Sequence, residues 1–114
     1  MLNHETITVT GASGTAYTDR PATGYLEYIA VAYTNGEGTG DVTITDEAEG
    51  TALLTLTDNN TDFGAPIRVQ VTGITGSTIA ANYARIPVTG RIKVVTAQEA
   101  ANTTVVVVLY WSDN

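Results

Sequence analysis

Apolar and polar positions alternate along most of this chain, and the pattern is interrupted most strongly near its end, where Thr103 to Trp111 reads TTVVVVLYW. Successive side chains of a strand point to opposite faces, so Val105, Val107, Leu109 and Trp111 line one face while Val106, Val108 and Tyr110 line the other. Both faces are apolar and both need cover. A small domain's own core covers one, whereas covering the second takes another layer, a long loop or another molecule. Elsewhere a period of two predicts strands at His4 to Thr10, Tyr25 to Thr34, Asp41 to Asp46, Thr51 to Thr57, Ile67 to Thr72 and Val88 to Ala97, with Thr78 to Ala84 less regular.

The intervening segments have turn chemistry: NGEGTG at Asn35 to Gly40, EAEG at Glu47 to Gly50, DNNTDFG at Asp58 to Gly64 and TGS at Thr75 to Ser77. Two hairpins follow. Asp41 to Asp46 pairs with Thr51 to Thr57 through the acidic turn, and Arg91 to Ala97 pairs with the terminal run through Gln98 to Asn102. The helix-like Ala80 to Arg85 (AANYAR) is long enough for a turn or two before Pro87 stops it. The expected fold is all-β, a single antiparallel β-sandwich or jelly-roll-like domain of seven to eight strands. Residues 1–24 read as an N-terminal arm with a first strand, partly mobile, and residues 25–114 as the sandwich.

Composition narrows the function classes. A length of 114 residues with 43% hydrophobic and 15% charged positions fits one folded domain. No stretch reaches the roughly 18 apolar residues of a spanning helix, and MLNHETITVT lacks the features of a signal peptide, so neither membrane insertion nor export is expected. Without cysteine there is neither a disulfide framework nor thiolate chemistry. Twelve acidic against five basic residues give a net charge of -7, which disfavours nucleic acid as a partner. The acids crowd the first half, where Arg20 is the only basic residue; an acidic half meeting a neutral half would allow head-to-tail rings, although ordinary solvated surface is the simpler account.

Candidate chemistry is sparse. Asp58, Asn60 and Asp62 have the alternating oxygens with which a calcium loop begins, but Phe63 stands where such a loop needs glycine and Val69 where it needs glutamate, so an Asx-rich turn is the simpler reading. Asp46, Glu47 and Glu49 crowd one hairpin tip instead of flanking a cleft, and read as a solvated turn. His4, the only histidine, lies near a terminus expected to fray, so a triad has no ordered base and a metal site no second histidine. Gly36 to Gly40 lacks the lysine of a phosphate loop and precedes a strand. Tyr25 and Tyr33 fall on the face of Ile29 and Val31, and Tyr28 on that of Leu26 and Ala30, so core or interface positions are expected for most aromatics. No constellation indicates an enzyme or a cofactor other than the calcium candidate.

The Thr/Val/Gly-rich, cysteine-free chain, with its acidic hairpin DVTITDEAEGTALLTLTD, its strand IPVTGRIKVVTA and its terminal VVVVLYW, resembles in general plan the small β-sandwich capsid decoration, or cement, proteins of tailed bacteriophages. The resemblance implies a non-enzymatic protein assembled in the host cytoplasm, often trimeric, that sits on the capsid surface of the virion and clamps subunits of the major capsid protein. It transfers no binding residues. From the residues themselves, Val106, Val108 and Tyr110 are the expected self-association interface, and Arg85, Arg91 and Lys93 the expected contacts with an acidic capsid. The alternative is a phage tail or carbohydrate/receptor-binding β-sandwich module using exposed aromatics.

Overall fold

The computed structural model describes residues 2–72 and 75–113. The described residues form ten strands: β1 (Leu2–Thr10), β2 (Gly14–Tyr17), β3 (Gly24–Thr34), β4 (Asp41–Asp46), β5 (Thr51–Leu56), β6 (Phe63–Ala65), β7 (Arg68–Thr72), β8 (Thr78–Val88), β9 (Ile92–Ala97) and β10 (Thr104–Ser112). They build two antiparallel sheets. One runs β1-β10-β3-β8-β7, with β6 also pairing β3, and the other runs β2-β9-β4-β5. The segment read as an arm supplies a strand to each: β1 pairs β10 from Leu2↔Ser112 to Thr10↔Thr104, and β2 pairs β9.

β-branched residues fill this pleated surface, and their alternation sets the layers. Val105, Val107, Leu109 and Trp111 of β10 are buried, as are Ile7 and Val9 beside them on β1 and Ile29 and Val31 on β3. Across the core they meet Val42 and Ile44 of β4 and Ile92 and Val94 of β9. The acidic hairpin has the expected register, with Val42↔Leu56 and Ile44↔Leu54.

Four local expectations are corrected. Strand count rises to ten because the short β2 and β6 add edge pairs that too few residues signal. Residues 78–88 form one strand, so AANYAR is extended; Pro87 sits past the last β7 partner, Arg68↔Arg85, where one side of β8 is open. The run from Val88 to Ala97 breaks at Thr89 to Arg91, where the chain leaves one sheet for the other. Finally, Gln98 to Asn102 is a crossover and not a hairpin, because β9 pairs β2 and β4 while β10 pairs β1 and β3. Gln98 at φ 57 and the buried Glu99 and Thr103 turn the chain over the end of the sandwich.

A bulge shapes β3. Tyr28 faces Tyr110 but Leu26 faces Trp111, so Glu27 is the extra residue, and it reverses the inward parity between Leu26 and Ile29. Tyr25 therefore points outward while Tyr33 packs against the core, contrary to the shared face that strict alternation predicts. Gly24, at φ 129, begins this strand against the backbone of Ser112, where no Cβ fits.

Leu109, completely buried in the central strand, is the sharpest test of this core. Leu109→Ala is expected to lower stability by about 2–5 kcal/mol. Urea titration checks it: the midpoint should fall with the slope unchanged.

Candidate functional site

The outer face of the six-stranded sheet is built by the residues that alternate with the core. Its rows read across the strands as His4, Tyr110 and Tyr28; Thr6, Val108, Ala30 and Gly64; Thr8, Val106 and Ala32; and Thr10, Thr104 and Thr34. None of these is an Asp, Glu, Lys or Arg, on a chain of net charge -7. Val106, Val108 and Tyr110 are half-buried by their neighbours, and no further layer of described residues lies over them. At one end the Tyr110 ring lies 5.8 Å from His4 and 6.1 Å from Tyr28, edge-on to the latter. The Tyr28 hydroxyl lies over Gly64, in the space a Cβ there would enter. Small residues thus form a shallow floor of Ala30, Ala32 and Gly64, bordered by two valines and two tyrosines.

Glu27, displaced outward by the bulge, closes one end of the sheet. Its Oε2 accepts hydrogen bonds from Ser112 Oγ at 2.6 Å and Arg85 at 2.9 Å, while Arg68 stands 3.6 Å from Oε1 and donates to the Glu27 carbonyl oxygen at 3.2 Å. The Ser112 bond first and then the Arg85 bond hold the Glu27 carboxyl below its ordinary 4.5; burial opposes them, and the charges of Arg85 and Arg68 add lesser help.

The three basic residues expected to contact a capsid are not brought together. Arg85 lies on β8, bonded to Glu27 and 4.5 Å above the Tyr25 ring. Arg91 precedes β9 in the other sheet, where its Nε donates to the Thr18 carbonyl at 3.0 Å and its guanidinium covers Tyr17 at 4.8 Å. Lys93 follows on β9, between Tyr17 and Thr45.

The calcium candidate residues lie at one end of the sandwich. Asp62 Oδ1 accepts the Tyr33 N–H at 3.0 Å, the Asp58 N–H donates to Asp41 at 3.0 Å, and Asn60 is exposed. Between them Asn59 Nδ2 donates to the Tyr33 hydroxyl at 3.1 Å and to the Thr61 carbonyl at 2.9 Å. Burial is the main cause that raises the Tyr33 hydroxyl above its ordinary value. Among the described residues, no three His, Cys, Asp or Glu side chains converge.

Two carboxylates have structural roles that the residue types alone do not reveal. Asp46, expected at a solvated tip, is fully buried: its oxygens accept the N–H of Ala48 at 3.1 Å and of Thr89 at 2.8 Å, tying two turns together. Parity with Val42 and Ile44 was the available signal. Glu99, also buried, accepts the Glu37 N–H at 3.2 Å and lies against Gly40, leaving Oε2 without a hydrogen-bond partner.

No protein-family model and no curated protein matches the chain. Among solved structures it is similar to a chain of the Bacillus endospore appendages, described as forming a novel family of disulfide-linked pili, at 17% identity and TM-score 0.43, covering 100% of this chain and 88% of that one. It is also similar to a chain of infectious bursal disease virus, Gx strain, at 15% identity and TM-score 0.29, covering 95% of this chain and 33% of that one. The chain thus spans about a third of the viral chain's length. Scores this low assign neither a family nor a function.

The Glu27 site generates a pH dependence. Because the folded carboxyl titrates below the unfolded value of 4.5, its contribution is complete above that pH and is lost as pH falls through the folded value. Thermal unfolding of the protein and of Glu27→Gln should show a gap in midpoint at neutral pH that closes on acidification below 4.5. A gap that stays constant with pH would count against this ionic role.

Proposed function

We propose that the chain is a non-catalytic structural module that self-associates through the outer face of its six-stranded sheet, and that it acts as a capsid decoration, or cement, protein of a tailed bacteriophage. The observation that carries the self-association is the uncharged face centred on Val106 and Val108, on a chain whose net charge is -7. Copies carrying like charge repel, so close contact is least opposed where no charge is present. Neighbouring strands about 4.8 Å apart, with residues rising about 3.3 Å each, give this face on the order of 400 Å². That area is sizeable for a protein surface patch and small for a complete interface.

In this reading the protein is a trimer on the capsid exterior. Several modest contacts with the major capsid protein, made at once, bind through avidity without any one of them being strong. In this proposal assembly takes place in the host cytoplasm and the protein remains on the virion. Arg85, Arg91 and Lys93 are the proposed contacts with the shell; the latter two belong to the four-stranded sheet, away from the self-association face.

Light scattering over a wide concentration range tests the first step, with a concentration-independent trimer expected. Val108→Asp should yield monomer, and Ala32→Glu, an exposed position on the same face, should do so without disturbing the core. A wild-type monomer at every concentration would overturn self-association.

A further inference from the structure

One end of the sandwich is acidic throughout. Hydrogen bonds gather four loops there: the Gly11 N–H donates to the Thr103 carbonyl at 2.9 Å, the Glu99 N–H to that of Ala12 at 2.9 Å, Thr103 Oγ1 to that of Asn35 at 2.7 Å, and the Asn59 N–H to that of Gly40 at 2.9 Å. Together with Asp41 at the start of β4, these loops hold Glu37, Asp58, Asp62 and Glu99. No basic residue accompanies them, because residues 1–19, 21–67 and 94–114 contain neither lysine nor arginine. Acidic loops of this kind are ordinarily just solvated surface.

Glu99 departs from that account. It is only 7% exposed, its Oε1 accepts the Glu37 N–H at 3.2 Å, and its Oε2 has no hydrogen-bond partner. The carboxylate lies against Gly40, in the space a Cβ there would need. Tyr33 stands beside it: burial is the main cause that raises the Tyr33 hydroxyl, and the charges of Glu99 and Asp62 add to it. An unpaired carboxylate oxygen in a buried position is strongly unfavourable, and the surroundings supply further negative charge and no cationic side chain to offset it.

We infer that this end of the sandwich binds a hard divalent cation of the calcium class at Glu99 Oε2, with oxygens of the 35–40 and 58–62 loops as its remaining ligands. Calcium accepts carboxylate, backbone-carbonyl, amide and water oxygens in a flexible geometry, whereas magnesium demands a near-ideal octahedron and gives up its water reluctantly. Asp62 uses Oδ1 for the Tyr33 N–H and has Oδ2 to offer. The deciding ligand, Glu99, comes from the crossover between β9 and β10 and lies outside the linear set Asp58, Asn60 and Asp62. The Gly36 to Gly40 run covers it, and the open space around Gly38 leaves that run room to shift and admit the ion. Among the described residues no three carboxylates converge, so the site is a weak one, with Kd on the order of 10⁻⁴–10⁻³ M.

Calcium titration of the full chain tests the site. In calcium chloride, against sodium chloride of equal ionic strength, the thermal unfolding midpoint should rise by about 5 °C once calcium reaches about ten times Kd, and magnesium chloride should raise it far less. Glu99→Gln keeps an acceptor for the Glu37 N–H but removes the charge, and should lose the calcium shift. Glu47→Gln, at the exposed hairpin tip of the opposite end, should keep it. An unshifted wild type, an equal shift from magnesium, or a full calcium shift in Glu99→Gln would overturn the site. Should Glu99→Gln fail to fold, terbium chloride gives the second reading on the wild type and Tyr33→Phe. Tyrosine-sensitised terbium emission that calcium displaces and Tyr33→Phe strongly reduces would support the site, whereas absent emission, or emission unchanged in Tyr33→Phe, would overturn it.

Discussion

β10 is hydrogen-bonded along both edges, by β1 and by β3, and it is apolar on both faces. The rest of the architecture depends on that combination. Its inner residues Val105, Val107, Leu109 and Trp111 need a second layer, which β4 and β9 supply through Val42, Ile44, Ile92 and Val94. Burying each such side chain contributes about 1.5–3 kcal/mol, so the stacking of the two sheets around β10 is the main source of stability. A two-layer protein cannot also cover the outer face of a central strand. The half-exposed Val106 and Val108 are the direct result, and the small neighbours Ala30, Ala32 and Gly64 keep that face flat.

With no cysteine available, polar ties fix the loops at the ends of this stack. Asp46 accepts two backbone N–H groups from separate turns, and Gly90 leaves the space its carboxylate occupies. Glu99 plays a related part over Gly40, and Glu27 joins the ends of β3, β10 and β8. A buried carboxylate without partners would be strongly unfavourable, and the backbone donors offset most of that penalty for Asp46. Asp46 and Glu99 hold points where the chain passes from sheet to sheet, through Thr89 and the Gln98 to Asn102 turn, while Glu27 ties three strands of one sheet. The three are dispersed over the fold.

Alternation made the strands, and the face each residue takes within them, legible wherever the pleat is regular. The inward set of β10 follows from it directly, as do the pairs Val42↔Leu56 and Ile44↔Leu54, whereas the bulge after Ile44 that buries Leu53 does not. It does not reveal which sheet a strand joins: Arg91 to Ala97 and the terminal run look like consecutive hairpin strands, yet they lie in opposite layers because the Gln98 to Asn102 turn crosses the sandwich end. Nor does it expose the extra residue Glu27, since a bulge leaves no mark in composition while inverting every position before it. The uncharged face was legible only in part. Val106, Val108 and Tyr110 could be read from β10 alone, but Ala30, Ala32 and Gly64 join them only through long-range pairing.

The same sheet also has an edge, and its chemistry differs from that of the face on which self-association is proposed. β1 is nine residues long, and among the described residues no strand pairs its outer side, the kind of strand that invites indiscriminate addition of further strands. Glu5 lies on the parity of Ile7 and Val9, pointing inward, where it bonds the Asp19 N–H at 2.7 Å and stands 3.6 Å from Arg20. Arg20 in turn lies 5.3 Å from the buried Trp111 ring. An inward-pointing charge of this kind opposes edge pairing, because a strand added alongside β1 would have to accommodate Glu5 and the loop that satisfies it. The rows of the outer face from His4 to Thr34 carry no such charge, so a contact between copies of the kind proposed would meet less opposition there than along the β1 edge.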